Sequence, residues 1–173
     1  MAYTDFLDLA QTRYSVRKFS EKKVPKDIIE KILKAGMLAP TACNNQPQRI
    51  IVVESNEGLA KIKESTHCHF CAPLVFVISY NKDESWKRSF DGKDSGDIDA
   101  SIVTTHMMLE AANLGIGSCW VMHYNPAILK EKFQLPDNLE STALLVMGYP
   151  AETVKPAPGH DKCRPDSELI SWE

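Results

Sequence analysis

Leu38-Ala39-Pro40-Thr41-Ala42-Cys43-Asn44-Asn45-Gln46-Pro47 is the stretch on which the reading of this chain turns. Proline at 40 and again at 47 forbids a continuing helix, because each lacks an amide hydrogen and fixes its own φ. Between them Thr41, Asn44, Asn45 and Gln46 offer many donors and acceptors in a short span. A helix-breaking loop this rich in amides reads as a polar cradle for a flat, heteroatom-rich ligand.

Immediately upstream, Val24-Pro25 opens a helix with proline in its first turn, and Ile28, Ile29, Ile32 and Leu33 recur at helical spacing until Pro40 stops it. Downstream, Arg49-Ile50-Ile51-Val52-Val53-Glu54 is a β-branched run expected to be a core strand, followed by a short helix from Leu59 to Glu64. The cradle is thus fixed at both ends, which suits a loop that holds a ligand.

Nearer the N-terminus, Thr4 is the expected cap of a helix through Thr12, with Phe6, Leu9 and Ala10 on one face. Arg13-Tyr14-Ser15-Val16-Arg17-Lys18-Phe19 follows. In an extended chain Arg13, Ser15 and Arg17 point the same way, which sets two guanidiniums and a hydroxyl on one side. Guanidinium forks match phosphate oxygens, so the segment is a candidate anion clamp, with a solvated basic edge as the plain alternative.

Beyond the first strand, Leu74 to Tyr80 is a continuous apolar run of strand length, as expected of a central strand covered on both faces. The polar stretch 81–96 reads as a surface loop; Asp91, Asp94, Asp97 and Asp99 lack EF-hand spacing and feed a helix with a negative first turn. Asp97 to Leu114 is the expected central buried helix, with Ile98, Ile102, Val103, Met107, Leu109 and Ala112 over a wide arc and Gly115 closing it. His106 within it is expected to be a core histidine. Gly115-Ile116-Gly117 follows a helix and lacks a third glycine, so it is not a dinucleotide fingerprint. A strand at 118–122, a helix capped by Asn125-Pro126 and running to Phe133, and a strand at 141–148 complete an α+β sandwich with a mixed, mainly antiparallel sheet. From Ala151 the prolines at 156, 158 and 165 around Lys162 and Arg164 predict an extended tail of the kind that packs on a partner subunit.

The 173 residues suit a single domain spanning 1–173. A net charge of -3 gives no argument for nucleic acid or an anionic membrane as partner. The start Met1-Ala2-Tyr3-Thr4-Asp5 lacks the features of a signal peptide, and the longest apolar run, 73–78, is too short to span a bilayer, so a cytoplasmic protein is expected. The cysteines, Cys43, Cys68, Cys71, Cys119 and Cys163, are odd in number and scattered, and are read as reduced thiols. Thr66-His67-Cys68-His69-Phe70-Cys71 invites a metal or redox reading, but no second Cys-x-x-Cys or spaced histidine pair completes a site; buried small thiols are the expectation, with no metal.

Taken in order, four motifs resemble the FMN-dependent nitroreductase family: Arg13 to Phe19, Ala39 to Pro47, Asp97 to Trp120 ending Leu114-Gly115-Ile116-Gly117-Ser118-Cys119-Trp120, and the basic tail at Arg164. The resemblance implies an α/β/α sandwich that forms an intertwined homodimer, with one FMN in each of two interfacial pockets. It implies that Arg13 and Ser15, with Tyr14 in the same stretch, contact the FMN phosphate, and that Arg17 lies near the pyrimidine edge of the ring. Pro40, Thr41, Ala42 and Asn44, with Gln46 in the same cradle, would come from the other subunit. Trp120, Val121 and Met122 match the segment beside flavin N5, and Lys162 and Arg164 match tail positions that reach the phosphate. No catalytic acid or base is implied, since the flavin carries the hydride chemistry and the protein binds, orients and tunes it. A cation near N1 and the C2 oxygen, for which Arg17 is the candidate, stabilises the negative charge of reduced flavin. The implied activity is ping-pong hydride transfer from NAD(P)H to flavin and then to a nitroaromatic, quinone or similar small-molecule acceptor. Two departures stand out: many members have tryptophan where this chain has Gln48, and the short 81–96 loop predicts an open pocket. Alternatives are a dehalogenase-like or flavin-modifying enzyme of the same fold, or a non-catalytic flavin or metal module using Cys68 and Cys71.

Overall fold

The computed structural model describes residues 4–173. Four strands, β1 (Gln48–Val53), β2 (Leu74–Asn81), β3 (Gly117–Val121) and β4 (Leu139–Gly148), form one sheet in the order β1-β2-β4-β3. All three ladders are antiparallel, and the parallel component is confined to a bridge between Ser15 and Ser118.

Alternation along the strands divides the core in two. Leu74, Phe76, Ile78 and Tyr80 of β2 join Leu145 and Met147 of β4 beneath α2 (Lys26–Met37) and α4 (Gly96–Asn113). Val75, Val77, Leu144 and Val146 face the other way, toward α3 (Asn56–Ser65) and α5 (Pro126–Phe133). The outcome is the three-layer α+β sandwich expected from the sequence. Phe76 is fully buried at its centre, and truncating such a residue to alanine costs about 3–5 kcal/mol. Gly96 lets α4 begin directly against the Tyr80 ring, since a Cβ there would meet ring carbons at 2.0 Å.

Several expectations are corrected. The first helix, α1 (Phe6–Thr12), is capped by Asp5, whose carboxylate accepts the Asp8 amide, rather than by Thr4. β1 is an edge strand, not a core strand: Val52 is exposed, because the sheet supplies a neighbour on one side only. α4 buries one face, through Ala100, Val103, Met107 and Ala111, while Ile98 is exposed and His106 is half-buried on the outer side, not a core residue. Cys71 is exposed and Cys68 half-buried, so the 66–71 turn is not a pair of buried thiols. The tail is not simply extended. It turns at 157–162, where His160 Nε2 lies 3.0 Å from the Gln11 carbonyl, and ends in the single-turn α6 (Asp166–Leu169). Among the described residues no helix is long and apolar enough to cross a membrane.

Candidate functional site

The cradle has an unusual backbone. After Thr41 the chain makes a single 3-10 turn, Ala42–Asn44, and three non-glycine residues, Cys43 (φ 51°), Asn44 (φ 56°) and Gln46 (φ 50°), occupy the left-handed region. Each such residue costs about 1–2 kcal/mol, so the surroundings must hold the loop in place. They do so from inside and from below. Asn44 N donates to Thr41 O at 3.0 Å, Asn45 N to Ala42 O at 3.0 Å and Gln46 N to Thr41 Oγ1 at 3.1 Å. Beneath them the Asp99 carboxylate, only 2% exposed, accepts the Ala42 amide at 2.8 Å and the Ser95 hydroxyl at 2.7 Å. On the outer side Asn45 Nδ2 donates to Glu84 O at 3.0 Å, and Arg49 Nη2 meets both Glu84 carboxylate oxygens at 2.7 Å.

The Arg13–Arg17 segment is built differently. It leaves α1 and runs extended along the free edge of β3, where Val16 N donates to Ser118 O at 2.9 Å and Val16 is buried. Gly117 permits this approach, because a Cβ there would stand 2.7 Å from Val16 Cγ2 and 2.9 Å from Pro150 Cγ. Arg13 and Ser15 are half-buried and Arg17 is exposed. Among the described residues neither arginine has a carboxylate partner, and Arg17 makes only a 3.4 Å bond to the Ser15 carbonyl. Their common neighbour is the Cys119 thiol: burial pushes it above its ordinary range, against the opposing pull of Arg17, a side-chain hydrogen bond with Ser15, and Arg13. Tyr14 stacks edge-on against His160, at 6.2 Å between ring centres, which ties the tail to this corner.

The two regions do not meet within one chain. Strand register links Gln48, at the end of the cradle, to Tyr80, whereas Ser118 beside the arginines links through Met147 to Leu74 at the far end of β2. They are therefore about 20 Å apart along the strands and about 14 Å apart across them. The cavity at the arginine corner, lined by Arg13, Tyr14, Val16, Gly117, Ser118 and Pro150 among others, measures about 150 Å³. That is below the roughly 300–1,000 Å³ of a ligand pocket.

The structure thus brings Arg13, Tyr14, Ser15 and Arg17 together with the β3 segment, and Pro40, Thr41, Ala42, Asn44 and Gln46 together in a second place. Val121 is 4% exposed and its side chain packs in the α3–α5 core, which leaves its backbone as the part that faces outward. Trp120 is half-buried with Nε1 lacking a partner among the described residues, and Met122 is 70% exposed just past the strand. Lys162 is exposed and has no ion-pair partner among the described residues, whereas Arg164 is paired with Glu168 at 3.0 Å. Gln48 Oε1, beside the cradle, is buried with no hydrogen-bond partner among the described residues. Sequence reading missed Asp99, taken as part of a solvated acidic turn, as well as Glu84 and His160; the signal for the first was Ser95 four residues before it. Among the described residues no group of three His, Cys, Asp or Glu side chains could hold a metal, so Cys68 and Cys71 have no ligand set around them.

Comparison with known proteins supplies an independent line. A model of the Nitroreductase family matches residues 10–72 and 69–149. A nitroreductase family protein from Clostridium difficile 630 is 44% identical in a solved structure that superposes with a TM-score of 0.93, over 98% of this chain and 99% of that one. A protein of Archaeoglobus fulgidus with the provisional name NADH dehydrogenase/NAD(P)H nitroreductase is 34% identical over 92% of this chain and 94% of its own. A structure from Exiguobacterium sibiricum 255-15, solved in complex with FMN, is 20% identical with a TM-score of 0.87, over 100% of this chain and 99% of that one; at that identity it speaks for the fold alone.

Proposed function

The chain belongs to the nitroreductase family, and on that premise we propose that it is an FMN-dependent NAD(P)H oxidoreductase whose flavin site is shared between two copies of the chain. The observation that carries this reading is the pair Arg13 and Arg17, held against β3 with no carboxylate partner among the described residues. Such unpaired guanidiniums fit a terminal phosphate. The cradle supplies a rigid polar edge, but on the opposite corner of the sheet, so a twofold assembly is the economical way to unite the halves.

FMN, when bound, supplies the hydride-transferring N5 that alternately serves NAD(P)H and a nitroaromatic, quinone or similar acceptor. The chain's own residues bind and tune. Arg13 and Ser15, with Tyr14 beside them, hold the phosphate, and Lys162 from the tail adds a second charge. Arg17 would lie at the pyrimidine edge, where its charge would favour negative charge on the reduced ring. Pro40, Thr41, Ala42, Asn44 and Gln46 of the second copy would hold the ring, with Met122 and the Trp120–Val121 backbone beside it. The unit is one domain, 1–173, with the tail from 151 reaching the partner. Its free cysteines suit a reducing compartment, the cytoplasm.

The test is flavin content per chain, read from visible absorbance, in Arg13→Ala and Arg17→Ala. Each substitution removes charge-assisted hydrogen bonds of about 1.5–3 kcal/mol, so FMN should be retained roughly 10- to 100-fold more weakly. Unchanged flavin content in both purified variants overturns the assignment, as does a colourless wild-type protein that takes up no FMN.

A further inference from the structure

A groove opens where the end of α3 runs beside the link from β3 to α5. Two bonds stitch its floor: Asn125 N donates to Ser65 O at 2.8 Å, and the Thr66 hydroxyl donates to His123 O. The Ser65 hydroxyl is spent on Ile62 O, and the Asn125 side chain caps α5 through the Ala127 and Ile128 amides. The floor therefore keeps little for a ligand. The rim differs. Lys63, His67 and His123 line the groove and are exposed, and among the described residues Lys63 has no carboxylate partner. Glu64, the acid in the lining, is held by Lys132 Nζ at 2.6 Å.

The groove measures about 480 Å³, within the roughly 300–1,000 Å³ of a ligand pocket. Its character is cationic. His69, half-buried two residues beyond His67, registers this: after burial, the charges of Lys63 and His67 hold it below the usual histidine range. The adjoining groove, which shares Pro126, is of similar size at about 410 Å³, yet its Lys82 and Lys130 are taken by Glu140 at 4.0 Å and Asp137 at 2.6 Å, and Asp97 joins the same lining. Of the two, the groove at Lys63 is the one suited to an anion.

His123 is the next residue after Met122, so the groove begins about 3.3 Å of chain past the segment expected beside flavin N5. It shares no residue with the cradle or the arginine segment. A dinucleotide whose nicotinamide lies over the ring must lay its adenosine end on an adjacent surface. This groove continues that segment, and Tyr124 and Pro126 add apolar lining for a base. We propose that the groove takes the 2′-phosphorylated adenosine end of the pyridine nucleotide, with Lys63, His67 and His123 on the phosphate, and so selects NADPH over NADH. The inference rests on the flavin reading above and deepens it. A phosphate monoester accepts from an ammonium and from imidazole N–H groups, whereas the 2′-hydroxyl of NADH brings them no charge. Contacts on an exposed rim are weak singly, about two- to fivefold each, and the three together give roughly 10- to 100-fold.

The FMN-loaded protein tests this by calorimetric titration with two unreactive probes, adenosine 2′,5′-bisphosphate and AMP. Wild type should bind the bisphosphate roughly 10- to 100-fold more tightly. The triple variant Lys63→Ala/His67→Ala/His123→Ala should keep its FMN and its melting temperature and lose that preference. Its KM for NADPH should rise by the same factor, with NADH oxidation as in wild type. Lys63→Ala alone should cut the preference about two- to fivefold, a readout that stands even where the triple variant fails to fold. Equal binding of the two probes by wild type overturns the proposal, as does a preference that survives in the folded variants. Inorganic phosphate that binds as tightly as the bisphosphate also overturns it and makes the groove a free-anion site. A wild type that takes up no FMN overturns the flavin reading instead and is seen before any probe is added.

Discussion

The cradle and the arginine segment occupy opposite corners of one sheet and are prepared for a ligand in opposite ways. The cradle spends its polar groups on itself. Its left-handed residues are fastened by Thr41, Asp99 and Glu84, and what it offers outward is shape. The arginine segment is fastened mainly by its backbone, at Ser118 through Val16 N, at Tyr149 through Ser20 N and at Ala151 N through Lys18 O, and among the described residues its two arginines have no carboxylate partner. One corner is rigid because it is satisfied, and the other is sticky because it is not. A ligand with a flat ring at one end and a phosphate at the other needs both, which is why neither corner alone reads as a complete site.

The largest expected effect separates the two corners. Asp99→Ala leaves the Ala42 amide and the Ser95 hydroxyl without their acceptor beneath a strained turn. The expected loss is about 2–4 kcal/mol of stability, or roughly 5–15 °C in melting temperature for a chain this long. Arg17→Ala, in contrast, removes an exposed side chain and should change stability by less than about 0.5 kcal/mol while weakening flavin retention. Thermal melts of the two variants without flavin are the measurement. Equal melting temperatures in both would erase the distinction drawn between the corners.

Next in size is Gly117→Ala, which forces a methyl group against Val16 and Pro150. Overpacking of this kind costs about 1–3 kcal/mol. Because Val16 lies between Ser15 and Arg17, flavin affinity should fall with stability, coupling in this one variant what Arg17→Ala keeps apart. Flavin titration of the folded variant decides it; full affinity in a destabilised protein shows that the clamp does not depend on the Val16 position.

A smaller effect of opposite sign is expected in the cradle. Cys43 is exposed at φ 51° and its side chain makes no hydrogen bond among the described residues. Cys43→Gly should relieve strain and raise stability by about 0.5–1 kcal/mol, whereas Cys43→Ala should leave it unchanged. Urea denaturation of the three proteins tests whether the turn is strained at all.

These contrasts also mark what a sequence exposes. Runs such as Leu74–Tyr80 are legible because burial on both faces leaves no room for a polar residue, and β2 is buried throughout. Ile50-Ile51-Val52-Val53 looks the same, yet lies at an edge, since composition records how a strand likes to pack and not how many neighbours it has. The chemistry-bearing residues of both corners were readable as types, arginines in alternation and amides between prolines. Their relation was not: the diagonal separation follows from the strand order, which no local pattern encodes. Asp99 was misread because an acidic residue in a first helical turn is usually solvated, and only the packing of the cradle above α4 buries it. Val121 lies in the segment the sequence singled out, and strand alternation turns its side chain into the core.

The smallest expected effect lies beside the arginine corner, in the 66–71 turn that faces Cys119. Phe70 and Cys71 are left-handed there, and the Cys71 amide donates to His69 Nδ1 at 2.9 Å. That bond requires Nδ1 to be an acceptor, so the folded ring is neutral with its proton on Nε2, and protonation would turn the acceptor into a donor facing a donor. Burial, followed by the charges of Lys63 and His67, holds His69 below the usual histidine range. The unfolded chain takes up the proton near pH 6.5 and the folded chain only at lower pH, so in that window the unfolded state binds more protons and stability falls as pH drops. Above the ordinary histidine range the residue contributes no slope. Urea midpoints at pH 7.5, 6.5 and 5.5 should therefore decline faster in wild type than in His69→Asn, whose amide oxygen can accept the same bond without titrating. Parallel declines would mean that the His69 side chain does not help to hold the turn beside the clamp, and that the satisfied style of construction is confined to the cradle.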